Sequence, residues 1–188
     1  MSAEEFFRAF ISIDLAGKLE LKEVAHALNG LFIQQKLVTS ELIHLSLKFL
    51  GDIPVSKVKD VLEKMRSSVE GVAPFDMTFK GLGAFPKQDN PRVIWIGVIA
   101  PEALGLIASR IEEGCADLGF KKEDRPFSPH ITLSRVKFVR DRRGLPEVFK
   151  MFQDTEFGKV HVDAIRLKKS LLGPKGPTYT TVAEVNLV

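Results

Sequence analysis

The sequence predicts an α+β protein built by duplication, with a pseudo-two-fold relation between two lobes. The order strand, helix, motif strand, helix, strand occurs twice, in half-repeats of approximately 1–88 and 89–188. Each motif strand carries the same kind of tetrapeptide, His44-Leu45-Ser46-Leu47 in the first half and His130-Ile131-Thr132-Leu133 in the second. No flexible linker separates the halves, so we expect residues 1–188 to form one bilobal domain.

Each element follows from apolar spacing, which has a period near 3.6 in helices and 2 in strands. The first half is predicted to contain a strand over 6–13, a helix over 18–37, the motif strand over 42–50, a helix over 56–69, a strand over 75–79 and a loop over 81–91. The second half is predicted to contain a strand over 93–99, a helix over 102–118, the motif strand over 130–136, a helix over 146–152, and strands over 160–167 and 179–187 joined through a turn at 173–177.

Composition limits the class of protein. Hydrophobic residues make up 45% of the 188 residues, and no apolar run approaches the roughly 18 residues that span a bilayer. Acidic Glu4 and Glu5 stand where a secretory signal would be basic. The single cysteine, Cys115, excludes an internal disulfide, so we expect a cytoplasmic protein. The net charge of +3 permits an anionic partner without requiring one.

The motif strands predict a site for chemistry on a phosphate ester. Residues two apart in a strand share a face, so each motif presents one imidazole and one hydroxyl together. Histidine titrates near neutral pH, which suits a general acid paired with a general base. The same alternation places Lys48 on the face of His44, and Phe49 on the opposite, apolar face. The other two histidines, His26 and His161, point away from apolar faces and are predicted to lie on the surface.

Two other uses of these residues fit less well. Zinc sites usually need three or four protein ligands, and no Cys pair, H-E-x-x-H motif or suitably spaced acidic residue lies beside either motif, so we expect no metal. Nucleophilic attack by Ser46 or Thr132 lacks an evident orienting group. The cluster from Arg140 to Arg143 fits either a solvated loop or a contact to a nucleic acid backbone.

These motifs resemble those of the 2H phosphoesterase superfamily, and within it the RNA 2′,3′-cyclic phosphodiesterases, also called 2′-5′ RNA ligases. The resemblance covers essentially the whole chain. The matching segments are the opening strand at 8–14 (RAFISID), the first motif at 44–51 (HLSLKFLG), the second at 129–135 (PHITLSR) and the entry to the last strand at 176–179 (GPTY).

The resemblance implies two antiparallel sheets that face a central cleft, with helices outside and no cofactor. It implies hydrolysis of RNA 2′,3′-cyclic phosphate ends to a 2′-phosphomonoester, and ATP-independent 2′-5′ RNA ligation by reversal. By the same resemblance His44 is the proton donor, His130 the proton acceptor, and Ser46, Thr132 and Arg135 hold the phosphate. The expected partner is RNA with a cyclic phosphate end, tRNA fragments among them, bound by a monomer away from membranes.

Several expectations stay open at this point. Ser46 stands where the family usually has threonine, so its hydroxyl loses the restraint of a β-methyl group. Simple alternation puts Arg135 opposite His130, so its role requires a twist or bulge after Ser134. Phe10 and Tyr179 are candidates for stacking on a base. The rival functions are a cyclic phosphodiesterase for small nucleotides or ADP-ribose cyclic phosphate, and a non-catalytic RNA-binding module.

Overall fold

The computed structural model describes residues 4–174 and 176–188, and within these it contains nine strands and four α-helices. The elements are β1 (Phe6–Asp14), α1 (Lys22–Asn29), β2 (Ile33–Leu37), β3 (His44–Pro54), α2 (Val58–Val69), β4 (Phe75–Phe85), β5 (Val93–Ile99), α3 (Glu102–Asp117), β6 (His130–Val139), α4 (Leu145–Met151), β7 (Glu156–Val162), β8 (Ala164–Gly173) and β9 (Gly176–Asn186).

The strands form two antiparallel sheets, which confirms the predicted fold class. The first sheet has the order β3-β1-β8-β9, and the second has the order β2-β6-β5-β4-β7. In each sheet the motif strand, β3 or β6, pairs with the opening strand of its own half. The two motif strands also contact each other between the sheets. The chemistry-bearing segments of both halves therefore meet at the centre of the molecule.

The halves exchange their last strands. Strand β4 follows the first motif but pairs with β5 in the second sheet, and β8 follows the second motif but pairs with β1 in the first sheet. Each sheet is thus completed by the other half of the chain. Helices α2 and α3 pack against each other, α3 against β3 and α2 against β9. No helix in the described residues is long and apolar enough to cross a membrane.

Three predicted elements of secondary structure are wrong. The helix over 18–37 is shorter, because α1 ends before Gly30 and the alternating residues Ile33–Leu37 pair with β6 as an edge strand. The loop predicted over 81–91 begins as strand, since Gly81 (φ +78°) lets β4 shift register and continue to Phe85. The strand over 160–167 is two strands that separate at Asp163 and enter different sheets. The turn predicted at 173–177 joins β8 to β9, but its Lys175 lies outside the described residues.

Candidate active site

Both motif strands carry a bulge at the fourth residue of the tetrapeptide. In the first sheet Ser12 pairs with Ser46 and Ile11 with Lys48, which leaves Leu47 without a partner position. In the second sheet the ladder skips Leu133 in the same way, because Trp95 pairs with Thr132 and Ile94 with Ser134. The burial of residues 44–50 and 130–136 follows one identical pattern. The two motifs are therefore the same local structure, bulge included.

The bulges decide which side chains reach the cleft. An extra residue inverts the alternation beyond it, so the fifth residue after each histidine returns to the histidine's face. Arg135 consequently lies on the face of His130, as its predicted role requires, although the bulge precedes Ser134 rather than following it. The faces predicted for Lys48 and Phe49 are wrong for the same reason. Lys48 is buried on the helix side, and Phe49 is exposed on the cleft side.

Each motif histidine has its tautomer fixed by a backbone carbonyl. His44 Nδ1 donates to the Leu42 carbonyl at 2.7 Å, and His130 Nδ1 donates to the Ser128 carbonyl at 2.8 Å. A carbonyl oxygen only accepts, so Nδ1 must carry the proton. In the neutral ring, Nε2 then holds the free lone pair. Both imidazoles are thus prepared to exchange a proton through Nε2.

Aromatic rings hold both imidazoles in place. The His44 ring lies 4.9 Å from the Phe10 ring and 5.2 Å, edge to face, from the Tyr179 ring. His130 has Phe85 at 5.1 Å, edge to face, and Trp95 at 6.3 Å.

Phe10 is only 4% exposed and its ring lies against those of His44, Phe49 and Tyr179, which disfavours its predicted role in stacking on a base. Its ring supports His44 instead. For the half-buried Tyr179 stacking stays a prediction.

Burial lowers the pKa of the His44 imidazole below its ordinary value. The bond to the Leu42 carbonyl and the nearby Asp14 carboxylate act to raise this pKa, and the charges of Lys168 and Arg135 lower it further. Asp14 lies opposite His44 in the β1–β3 ladder and accepts a hydrogen bond from Lys168 Nζ at 2.6 Å. The influence of Arg135 shows that the second motif's guanidinium comes within electrostatic range of the first motif's imidazole.

The motif hydroxyls are available for a ligand. Ser46 and Thr132 are half-buried, and neither hydroxyl hydrogen-bonds to another described residue. Two buried donors sit opposite them in the ladders, Ser12 Oγ and Trp95 Nε1, which also have no partner among the described residues. Ser12 Oγ and Trp95 Nε1 are fully buried, so the donors that face the cleft are the Ser46 and Thr132 hydroxyls and the exposed Arg135 guanidinium, on the strand faces that carry the two imidazoles. Such a set suits a phosphate group, which accepts several hydrogen bonds at once.

Sequence reasoning did not identify the supporting residues. Asp14 and Lys168 form an ion pair beside His44, and Phe85 and Trp95 flank His130. Phe85 fell in a predicted loop, so its strand position was missed. These residues are found only once the strand that pairs with each motif strand is known, and that depends on the order of strands in the sheets. His26 and His161 are exposed as predicted, and His161 pairs with Asp76 at 2.8 Å.

No three His, Cys, Asp or Glu side chains converge as a metal-ligand group within 4–174 and 176–188.

Comparison with known proteins places this arrangement in a family. Residues 34–173 match the 2′-5′ RNA ligase superfamily. The RNA 2′,3′-cyclic phosphodiesterase of Methanothermobacter thermautotrophicus is 34% identical over 175 residues, which are 92% of this chain and 95% of the relative. The enzyme of the same name from Methanocaldococcus jannaschii is 34% identical over 178 residues, covering 94% and 99%. The chain belongs to the 2′-5′ RNA ligase superfamily.

Solved structures agree with the fold. A protein of Thermus thermophilus superposes with a TM-score of 0.73 at 29% identity, covering 96% of this chain and 97% of that one. E. coli LigT, crystallised with 3′-AMP, superposes with a TM-score of 0.74 at 24% identity, covering 97% and 99%. The likeness to LigT supports the architecture of two antiparallel sheets and nothing finer.

Proposed function

We propose that this protein hydrolyses RNA 2′,3′-cyclic phosphate ends to 2′-phosphomonoesters by two-histidine acid–base catalysis. The observation that carries the proposal is the pair of structurally identical motifs, each with Nδ1 fixed on a carbonyl and Nε2 left to exchange a proton. The curated relatives are named for this activity. Ser46, Thr132 and Arg135 supply donors to the non-bridging phosphate oxygens, where negative charge grows in the transition state.

The proton transfers follow from in-line displacement at phosphorus. His130 Nε2 takes a proton from a water molecule as its oxygen bonds to phosphorus. The bond from phosphorus to the 3′ oxygen breaks, and His44 Nε2 delivers its proton to that oxygen. The phosphate then remains on the 2′ oxygen. The attacking and leaving groups lie on opposite sides of phosphorus, which suits histidines that belong to different sheets.

The role of His44 places a demand on the substrate. A general acid must start protonated, but burial lowers the His44 pKa in the free protein. The cyclic phosphate is an anion, and an anion beside an imidazole favours its charged form. Substrate binding therefore raises the His44 pKa, in the same direction as the Asp14 carboxylate and against the charge of Lys168. His44 is therefore protonated, and able to act as the acid, mainly when the phosphate is bound.

Reversal gives the second activity of the same site. An RNA 5′-hydroxyl replaces water, the cyclic phosphate supplies the energy, and a 2′-5′ linkage forms without ATP. Each sheet contains two strands from the other half-repeat, so we propose that the whole chain acts as one bilobal domain. We further propose that it works as a cytoplasmic monomer, with tRNA fragments among its substrates.

The test is incubation of the protein with an oligoribonucleotide that ends in a 2′,3′-cyclic phosphate, in EDTA, with the position of the product phosphate identified. Accumulation of the 2′-phosphomonoester supports the proposal. A 3′-phosphate product would reverse the assignment of the leaving oxygen. If the cyclic phosphate stays unopened, the hydrolase proposal is overturned and the alternative of a non-catalytic RNA-binding module is favoured. Parallel rates on cyclic mononucleotides and ADP-ribose cyclic phosphate separate the small-molecule alternative.

A further inference from the structure

Two phenylalanines at the edge of the second sheet have side chains that are exposed rather than packed in the core. Phe32 is 71% exposed and Phe138 is 57% exposed, whereas large apolar side chains on a monomer's surface usually occur singly. Phe138 lies on β6, the strand that carries His130, and Phe32 immediately precedes the edge strand β2. Phe138 belongs to the β2–β6 ladder, and Phe32 lies directly beside the end of that ladder, where its carbonyl bonds to the chain just after β6, so the two rings lie at one end of the same strand pair.

The β2–β6 register shows that this surface continues from the phosphate site. Lys36 pairs with Arg135, and Gln34 pairs with Phe138 after a second bulge at Lys137. Gln34 and Lys36 are two apart on β2 and share a face, so their partners Phe138 and Arg135 share it as well. The cleft face of β6 therefore runs from His130 through Thr132 and Arg135 to Phe138.

The ladder extends one step further. The Phe32 carbonyl accepts hydrogen bonds from the Arg140 backbone N–H at 3.0 Å and from that of Asp141 at 3.1 Å. Successive steps from the site thus present Arg135, then Phe138, then Phe32 with Arg140. Each step covers two residues of strand, or about 7 Å. An extended single-stranded nucleic acid advances by a similar distance per nucleotide.

A cavity and unpaired charge occur at the far end of this row. A cavity of about 410 Å³ lies there, lined by Leu31, Phe32, Ile33, Gln34, Gln35 and Arg140, and its volume falls in the usual range for small-molecule sites. Arg143 is held by Asp141 at 2.6 Å. Arg140 and Arg142 have no carboxylate partner among the described residues. Two of the three arginines in the cluster are therefore free to meet an anion.

We propose that Phe138, Phe32 and Arg140 form a track for single-stranded RNA, which binds the two or three nucleotides upstream of the cyclic end. This inference rests on the proposed function for the position of the reactive end. Aromatic faces with interspersed arginines are the usual means of holding single strands without reading sequence. The charge, the spacing and the continuity with Arg135 favour RNA over a protein partner. The preferred substrate is accordingly an oligonucleotide rather than a mononucleotide.

The test compares kcat/KM on substrates of one to six nucleotides, all ending in a 2′,3′-cyclic phosphate. We expect kcat/KM to rise up to three or four nucleotides and then to level off. F138A and F32A should each reduce the ratio of the hexanucleotide value to the mononucleotide value by about fivefold or more, the lower end for a lost base stack. L106A, which truncates an exposed side chain on α3, is the apolar control and should leave this ratio unchanged.

Binding is measured separately from catalysis, with a 5′-labelled hexaribonucleotide that ends in a plain 2′,3′-diol. R140A should weaken binding and reduce the slope of log Kd against log salt by about 0.7, the value for one phosphate contact on a single strand. R143A should change that slope much less, because Asp141 already occupies the guanidinium.

The two proposals fail in different ways. Equal kcat/KM on one and six nucleotides, with the cyclic phosphate opened, overturns the track and leaves the function intact. Hexamer binding that F32A, F138A and R140A weaken, with no cyclic phosphate opened, supports the track and overturns the hydrolase. A wild-type dimer that F32A and F138A convert to monomer, with RNA affinity unaltered, assigns the surface to a second copy and overturns the RNA track.

Discussion

Lys48 joins the first motif strand to the segment that leads into the second motif. Its side chain is buried on the helix side of β3, where Nζ donates to Glu112 Oε1 at 2.9 Å and to the Lys121 carbonyl at 2.7 Å. Glu112 also accepts from the backbone N–H of Glu123 at 2.7 Å. The chain from Lys121 to Glu123 continues to Ser128, whose carbonyl fixes the His130 tautomer. K48M keeps most of the apolar stem and removes this connection.

The cost of K48M can be worked from these contacts. Hydrogen bonds to a charged group contribute about 1.5–3 kcal/mol each, and removal of one partner from a fully buried ion pair costs about 3–5 kcal/mol. The Glu112 side chain is 26% exposed and can rehydrate, and the amine no longer has to be desolvated. We therefore expect a loss of about 2–3 kcal/mol in the free energy of unfolding. K64M is the control, because Lys64 Nζ and Asp117 Oδ2 lie 2.8 Å apart at the surface, the same distance as Lys48 Nζ and Glu112 Oε2, and this surface pair should contribute only about 0–1 kcal/mol.

The pH dependence of stability provides a second test of the Lys48–Glu112 interaction. Burial acts to raise the pKa of the Glu112 carboxyl, but the hydrogen bonds from Lys48 and from the Glu123 backbone outweigh it and hold this pKa below 4.5. A carboxyl whose pKa is lower in the folded state than in the unfolded state stabilises the fold at pH values above the unfolded-state pKa. This contribution is lost as the pH falls through the folded-state pKa. The difference between wild type and K48M should therefore narrow below about pH 4.5.

Urea unfolding of wild type, K48M and K64M at pH 7 and at pH 3.5 measures these differences. At a temperature where all three are folded, K48M should also lose roughly tenfold or more in kcat on a cyclic phosphate end, because a misplaced catalytic group is costly. A loss of stability no larger than that of K64M, or a difference that widens in acid, would refute the account of this connection.

The remaining predictions concern the proposed chemistry. H44A and H130A should each reduce cyclic phosphate hydrolysis by at least ~10²-fold, while H26A and H161A should stay near wild type; a comparable loss in either surface variant would contradict the assignment. Activity should survive EDTA, and loss with rescue by zinc or manganese would favour metal-assisted hydrolysis. The pH profile of kcat/KM should be bell-shaped, with the limb set by His44 falling as the pH rises through its lowered pKa. K168M removes a charge that lowers this pKa, so it should move that limb to higher pH, and an unmoved limb would exclude His44 as the acid.

The elements that were predicted well from the sequence are those whose apolar residues follow a single dominant spacing. Helices α2 and α3 end within one or two residues of their predicted bounds, and β5 matches its own. The errors occur where two elements share one stretch of apolar residues. Leu31 continues the helical spacing past Gly30 although the helix has ended, and Val160 and Val162 join β7 to β8 in a single apparent strand. Local patterns do not show which sheet a strand enters, because that choice is made by pairing across the whole chain.

The residues of the candidate site were predictable because the motif is repeated, but their arrangement was not. The alternation in His-x-hydroxyl-Leu looks regular, and only pairing with β1 and β5 shows the bulges at Leu47 and Leu133. Both leucines are buried, so the core fixes the bulges from the opposite side of the sheet. Lys48 and Ser134 follow the bulges and are buried although polar, which a regular alternation does not predict.

The same bulges break the symmetry of the site. They bring the fifth residue after each histidine to the cleft face, and that residue is Phe49 in the first motif but Arg135 in the second. The duplicated backbone alone would hold a phosphate equally well in two orientations. A cation on one side and an exposed aromatic ring on the other favour one orientation, with the phosphate oxygens toward Arg135. That preference would determine which histidine faces the attacking water and which faces the departing ribose oxygen, so the proposed division of acid and base between His44 and His130 rests on this pair of residues as much as on the imidazoles themselves.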